Sequence, residues 1–369
     1  MDGLTTSEQA LFADSVKRFA TREYGFGPAP HRLGFDRARF AKLAETGILA
    51  LAVGEEFGGV GGPLELVAAM RALAPALAPE PVVESGVKAA HLLRAAAAPA
   101  LSTELLPDLV CGRKIAVVAD LEGASRYDHA AISTSAVRSD AGYRLVGEKP
   151  LVPFGGEADH LIVSAKLEGT LALFVVPSSH EGVSRSHCPR IDGMPAADIA
   201  FSDCRIDRRF RLDAAPVENA LSRASDLACM GQLAEMCGLM YALTEATIEY
   251  ACTRRQFGTT IAGFQALQHR IVDMWIACEE AASMMFAAAH ACLDDGASAS
   301  RAISLAKLVV GDGARLVGND AIQIHGGIGM SDELIVSHWY RRLWALRLLE
   351  GDRQHHLARL RRPNAPAAA

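Results

Sequence analysis

The sequence contains no C-x-x-C pair, no Cys/His spacing of a zinc site, and no apolar run approaching the ~20 residues of a spanning helix. Its eight cysteines (Cys111, Cys188, Cys204, Cys229, Cys237, Cys252, Cys278 and Cys292) are scattered, which argues against a disulfide framework and for reduced, mostly buried thiols. Positive charge is not in excess: the net charge is −6 over 369 residues, so no bulk pull toward nucleic acid or an anionic membrane is expected. The N-terminal MDGLTTSEQALFADS carries acids and lacks both a basic n-region and an apolar h-region. No signal peptide and no membrane insertion are therefore expected, and the protein reads as cytoplasmic. Internal repeats of solenoid length are missing too.

What is present is apolar bulk. Half of the residues are hydrophobic and 22% charged, which excludes intrinsic disorder and supplies a sizeable core. The length suggests two or three packed units. Three zones of pattern give expected domains at 1–114, 115–212 and 213–369. In the first, Ser7 followed by Glu8 opens a helix in a cap-like manner, with Leu11, Val16 and Phe19 on one face. In the second, short Val/Ile/Leu/Phe runs at 115–119, 131–137, 143–146, 161–165, 171–176 and 199–201 alternate with turn signals such as Glu168-Gly169 and Asp192-Gly193. That pattern predicts an antiparallel sandwich or barrel. In the third, long helices are expected over 221–254, 265–293, 297–316 and 336–360, then a Pro/Ala-rich tail that should fray. Along the first of these, Leu227, Gly231, Ala234, Gly238 and Tyr241 form a seam of largely small residues that permits close helix approach.

Few residues suggest chemistry by themselves. The Gly-rich stretch 54–62 lacks the Lys-Ser/Thr of a phosphate loop and any strand–helix frame, so it reads as a turn. Arg254-Arg255-Gln256-Phe257-Gly258 closes a long helix, where cations offset the negative helix end. Gln323-Ile324-His325-Gly326-Gly327-Ile328-Gly329 pairs an amide side chain with glycines that let a backbone approach a ligand.

Together, in this order, these segments resemble the acyl-CoA dehydrogenase family, through R-x-Q-F-G-x-x-I-x-x-F-Q and Q-I-H-G-G-x-G. Glu55-Glu56-Phe57-Gly58-Gly59, the 142–149 segment ending Gly147-Glu148-Lys149, and Phe201-Ser202-Asp203-Cys204-Arg205-Ile206 are similar to further family motifs. The resemblance implies an α+β, mainly α, fold: an N-terminal helical domain, a central antiparallel β-domain and a C-terminal four-helix bundle, assembled as a dimer of dimers with FAD between domains. It implies that Arg254 pairs with the FAD pyrophosphate, that Phe257 and Gln265 contact the cofactor, and that Gln323, Ile324, Gly326 and Gly327 line its adenosine-diphosphate half across a subunit interface.

The family removes the α-proton of an acyl-CoA with a carboxylate and passes the β-hydrogen as hydride to flavin N5. Hydrogen bonds to the thioester carbonyl stabilise the enolate, and exclusion of water makes a carboxylate a stronger base. In the commonest branch the base is the Glu of Y-E-G-T. Here Glu350-Gly351-Asp352 stands in that register, which implies Glu350 as the base and Gly351 against the substrate thioester. Another branch carries its base on the long helix, where this chain has Ala228, with Asp226 as a minor rival.

Three departures stand out. The flavin-edge loop T-E-P-x-x-G-S-D is replaced by Asp120-Leu121-Glu122-Gly123-Ala124-Ser125-Arg126, in which only Ser125 survives, as a substrate-binding candidate. W-I-T reads Leu151-Val152-Pro153, leaving Val152 to contact the cofactor, and the Thr after Glu-Gly is Asp352. The expected activity is thus FAD-dependent α,β-dehydrogenation of an acyl-CoA, with an electron-transfer flavoprotein as acceptor and a homotetramer or a heterotetramer with a paralogous chain. The alternatives are a poorly catalytic partner subunit, or an acyl-CoA oxidase or flavin monooxygenase on the same fold. His325 reads as a packed structural histidine, and His355-His356 as solvated or interfacial, with no metal site.

Overall fold

The computed structural model describes residues 6–24, 34–294 and 297–361; the expected fraying tail lies outside them. In chain order the helices are α1 (Ser7–Glu23), α2 (Arg37–Ala44), α3 (Pro63–Leu73), α4 (Ala90–Ala96), α5 (Pro99–Val110), α6 (Val217–Thr253), α7 (Gln265–Ala291), α8 (Ala297–His325), α9 (Ile335–Leu346) and α10 (Arg353–Arg361). A π-helical turn, Val82–Ala89, leads into α4. The chain divides into two compact units, one of residues 1–33, 63–78 and 229–369, the other of residues 34–62 and 79–228.

The first unit is helical. Its first helix is capped by Thr6 rather than Ser7: the Thr6 hydroxyl and the Gln9 side chain bond each other's backbone N–H groups. Its buried face carries Val16, Phe19 and Ala20, while Leu11 is exposed. Five residues separate Leu11 from Val16, which turns Leu11 about 140° from that face. The middle of α6 (226–240) is buried on every side, so the expected seam is one stripe of a fully enclosed helix. At Gly238 a methyl group would stand 2.6 Å from the Arg71 carbonyl and 2.7 Å from Ala74 Cβ, and only glycine admits that approach. Helix α8 runs nine residues beyond the expected end at 316, to His325. The helix expected over 336–360 is broken between α9 and α10. Glu350 and Gly351 adopt φ of +52° and +115°, and the Asp352 carboxylate caps α10 by accepting from His355 N–H at 2.9 Å.

The second unit holds one eight-stranded sheet: β1 (Ala116–Ala119), β2 (Ser135–Ser139), β3 (Gly142–Pro153), β4 (His160–Leu167), β5 (Thr170–Pro177), β6 (Val183–Pro189), β7 (Pro195–Asp207) and β8 (Arg211–Leu212). The order is β6-β7-β3-β2-β4-β5-β8. Most pairings are antiparallel, with two parallel ones that alternation does not reveal: one edge of β4 takes β1 along 160–163 and β2 at 166–167. The turn Glu168-Gly169, with both φ positive, closes the β4–β5 hairpin. Leu92, Leu93, Leu106 and Leu109 from the helices pack with Ile162, Leu173 and Val175 of the sheet and Leu221 of α6. Full burial contributes roughly 1.5–3 kcal/mol for each such side chain. The Gly-rich stretch is a turn: Glu55–Phe57 form a 3₁₀ helix ended by left-handed Gly58.

Beneath this sheet lies a buried ion pair. Lys149, fully buried, donates to Glu122 at 2.8 Å and to Ser164 at 2.9 Å. The Glu122 carboxylate also accepts from the backbone N–H and hydroxyl of both Ser133 and Thr134. Burial alone would raise the Glu122 pKa, but Lys149 and these donors outweigh it and hold the carboxyl far below its ordinary range. A depressed carboxyl stabilises the fold above its unfolded pKa and loses that contribution as pH falls. Glu122→Gln should therefore cost about 3–5 kcal/mol at pH 7 in denaturant melts, by leaving Lys149 without its anion. The gap between variant and wild type should narrow as pH drops below the ordinary glutamate value of 4.5. A gap that is constant from pH 7 to pH 3 would refute this account.

Candidate functional site

In the helical unit, the implied site residues fall into two groups. At one end α6, α7 and α8 meet. The Tyr250 and His325 rings stack with centroids 4.4 Å apart, and Arg270 of α7 reaches Asp320 of α8 at 3.3 Å. Arg254 lies just past α6, exposed, and its guanidinium makes no hydrogen bond or ion pair among the described residues. The next residues form a two-stranded hairpin, β9 (Arg255–Gln256) and β10 (Thr259–Thr260). Its turn residues Phe257 and Gly258 have φ of +51° and +83°. This turn projects Phe257 to 91% exposure, edge-on to Phe264 at 6.1 Å. Gln265, at the start of α7, and Gln323, in the last turn of α8, are exposed. Gly326 (φ +66°) and Gly327 have open space where a Cβ would stand. Ile324, by contrast, turns inward and is buried. His325 is buried as well, and its Nδ1 donates to the Ala321 carbonyl at 2.8 Å. Burial depresses its pKa, as suits a packed, neutral ring.

The second group surrounds Glu350, on the six-residue break between α9 and α10. Lys307 of α8 is buried and donates to the carbonyls of Leu346 (2.9 Å) and Leu349 (2.7 Å), closing the C-terminal end of α9. His356 is wholly buried, which corrects the expectation that it is solvated. Its Nε2 lies 3.1 Å from the Glu350 carbonyl and its Nδ1 lies 3.2 Å from the Ser304 hydroxyl. Burial first, and the Lys307 charge second, push the His356 imidazole down to about 3. Glu350 is half-buried in the left-handed region, which few non-glycine residues occupy. Gly351 is buried beneath both imidazoles. Sequence reading passed over Lys307 and Ser304. The available signal was a lysine and a serine on the buried stripe of α8, between Ile303, Ala306 and Val310.

In the sheet unit, Val152 is buried beside a bulge of β3, and its carbonyl accepts from Gly155 N–H. Leu151 is exposed with φ +52°. The Ser125 hydroxyl is engaged with the Glu122 backbone, donating to its carbonyl at 3.0 Å and accepting from its N–H at 3.1 Å. Asp226, the minor rival, is buried, as is Ala228. Among the described residues no three His, Cys, Asp or Glu groups converge as a metal site, and no helix is long and apolar enough to cross a membrane.

The fold combines a helical unit with open, amide- and guanidinium-bearing helix ends and a unit built on a mixed sheet. Residues 6–113 match the acyl-CoA dehydrogenase N-terminal domain and residues 226–363 its C-terminal domain. The L-prolyl-[peptidyl-carrier protein] dehydrogenase of Pseudomonas fluorescens is 30% identical over 350 residues, covering 89% of this chain and 90% of that protein. The chain belongs to the acyl-CoA dehydrogenase family, which is FAD-dependent. Among solved structures, the ChsE4-ChsE5 complex from Mycobacterium tuberculosis superposes with a TM-score of 0.86 at 27% identity over 97% of both chains. The complex of PigA with FAD and proline shares the fold, with a TM-score of 0.89 at 24% identity over 98% of both chains.

The break at 347–352 tolerates no side chain at its glycine. A Cβ on Gly351 would stand 2.6 Å from His355 Cδ2 and His356 Nε2, on a backbone at φ +115°. Gly351→Ala should therefore lower the unfolding free energy by about 1–3 kcal/mol in denaturant melts, and an unchanged midpoint would contradict the geometry.

Proposed function

We propose that this chain, with FAD, catalyses the α,β-dehydrogenation of an acyl thioester of the CoA type, and that Glu350 is the base that takes the α-proton. One observation carries this reading: a half-buried carboxylate on a left-handed residue, followed by an irreplaceable glycine, in the register of the family's base. Backbone held in so sparsely populated a conformation is characteristic of functional sites.

The donor set suits the cofactor. An exposed guanidinium at Arg254, amides at Gln265 and Gln323, the exposed Phe257 ring and uncluttered backbone at Gly326 and Gly327 match a pyrophosphate-bearing dinucleotide. Bound FAD would supply the hydride acceptor. Glu350 would receive the proton from the substrate's α-carbon, and Gly351 would lie along the thioester. Val152 would offer main-chain contact to the ring edge, and Ser125 would contact the substrate side. About 24 Å of α8 separates Lys307, beneath Glu350, from Gln323. That separation supports an assembly in which the dinucleotide-binding end of one copy completes the site of another, a homotetramer or a heterotetramer with a paralogous chain. An electron-transfer flavoprotein would then accept the electrons. Glu350→Gln should keep the flavin absorbance of the purified protein and lose turnover of acyl-CoA substrates by at least about a hundredfold. Near-wild-type turnover would reject Glu350 as the base.

A second reading, a poorly catalytic partner subunit, draws on the divergent flavin loops. The only carboxylate among residues 121–126, that of Glu122, is turned inward onto Lys149, and Leu151 replaces the ring-covering Trp. The ChsE4-ChsE5 structure, a complex of two named proteins, is a relevant likeness. Under this reading the chain purified alone is colourless, and co-expression with a paralogue restores flavin absorbance. Full flavin loading of the chain alone would reject it.

A further inference from the structure

We propose that the sheet unit carries a ligand site of its own, at the heads of α2 and β4, for a phosphate monoester that also bears hydroxyl groups: a sugar phosphate or the ribose phosphate of a nucleotide. The site does not depend on the reading of Glu350, nor that reading on it. A cavity of about 410 Å³ opens between Phe35 and Arg37 at the start of α2, Lys114 ahead of β1, the β3–β4 connection, Ser178 just after β5, and Arg185 of β6. Every residue that lines it belongs to this one unit. Its volume falls in the range of small-molecule sites, about 300–1,000 Å³.

Two polar atoms of its wall are buried without a partner. Ser178 is 5% exposed, and neither its Oγ nor Oε2 of Glu157 meets a hydrogen-bond partner among the described residues. Burial without a partner is unfavourable, and a ligand in the cavity relieves it. A carboxylate oxygen only accepts, so the ligand brings Glu157 a donor. That donor is a hydroxyl rather than an ammonium, because Arg37, Lys114 and Arg185 surround the same space and repel a cation. The cations in turn call for an anion. Arg37 is already committed, donating to Asp159 at 2.9 Å and to the Glu157 carbonyl at 2.7 Å, while Asp159 also accepts from Ile115 N–H. Burial lowers the His160 pKa, so that ring adds no charge at pH 7. Two cations remain. The Lys114 ammonium stands 3.8 Å from Asp159, beyond hydrogen-bond reach. Arg185 spends Nη1 on the Gly156 and Ala158 carbonyls and keeps Nε and Nη2 unbonded among the described residues. A free guanidinium edge beside an ammonium matches the oxygens and double charge of a phosphate monoester.

The test is isothermal titration of the full-length protein with ribose 5-phosphate, AMP, inorganic phosphate and ribose, repeated on Glu157→Ala, Ser178→Ala and Arg185→Gln. Ribose 5-phosphate should saturate the protein below about 10 mM and bind about tenfold or more tighter than inorganic phosphate or ribose. Arg185→Gln should weaken ribose 5-phosphate and inorganic phosphate alike, by about tenfold or more. Glu157→Ala should instead shrink the advantage of ribose 5-phosphate over inorganic phosphate to within about threefold, because it removes the acceptor for the hydroxyls and leaves the cations in place. If Arg185→Gln, which loses two contacts to the β3–β4 connection, does not fold, Glu157→Ala and Ser178→Ala decide, the latter with an expected loss of about threefold or more for ribose 5-phosphate. AMP that binds tighter than ribose 5-phosphate identifies a nucleotide, its base on the Phe35 side; AMP that binds equally or more weakly identifies a sugar phosphate. No saturation by either phosphate monoester, an advantage unchanged in Glu157→Ala, or displacement of ribose 5-phosphate by octanoyl-CoA would overturn the proposal.

Discussion

A buried ammonium with only carbonyls to bond organises the end of the helical unit. Desolvation of Lys307 is unfavourable, and it is tolerated because the last turn of α9 gathers unpaired carbonyls and the negative end of the helix at that point. The arrangement is reciprocal: the carbonyls satisfy the ammonium, and the ammonium prevents the helix from running on. Everything downstream follows from that stop. The chain passes through two left-handed residues, Asp352 restarts the helix, and α10 brings His356 back beneath the turn it has just left.

Both units also bury ion pairs, Arg342 with Glu235 in the helical one and Lys88 with Asp120 in the sheet one. In the sheet unit's pair of Glu122 with Lys149, five donors surround one carboxylate. Glu122 is committed to the interior, and the Ser125 hydroxyl is bonded to its backbone. Exposed polar side chains at a helix end and a loop bonded through its own backbone place very different demands on sequence. The first leaves a motif and the second leaves almost none.

That difference explains what was legible. Two short motifs, 254–265 and 323–329, carried the family and with it the architecture, because exposed arginine and glutamine and paired glycines at helix ends are not dictated by packing. Glu350 was legible only by register. The break around it was passed over, although the apolar stripe lapses over 350–356 and Gly351-Asp352 is a stop-and-cap pair. The parallel pairings of β4 were hidden because alternation reports which face is buried and says nothing of the neighbour's direction. His356 was misread because two adjacent histidines near a charged helix resemble a solvated pair, whereas α8 supplies Ser304 to satisfy one of them.

The helical unit gathers its pieces from distant parts of the chain, and synthesis must contend with this. Helix α3 finds the glycine it packs against, Gly238, only after about 170 further residues have been made, a delay on the order of 10–30 s at ordinary translation rates. Throughout that interval Leu66, Val67, Met70 and Leu73 of α3 lack that native partner. Until then the apolar face of α3 can be covered only by elements made earlier, α1 among them.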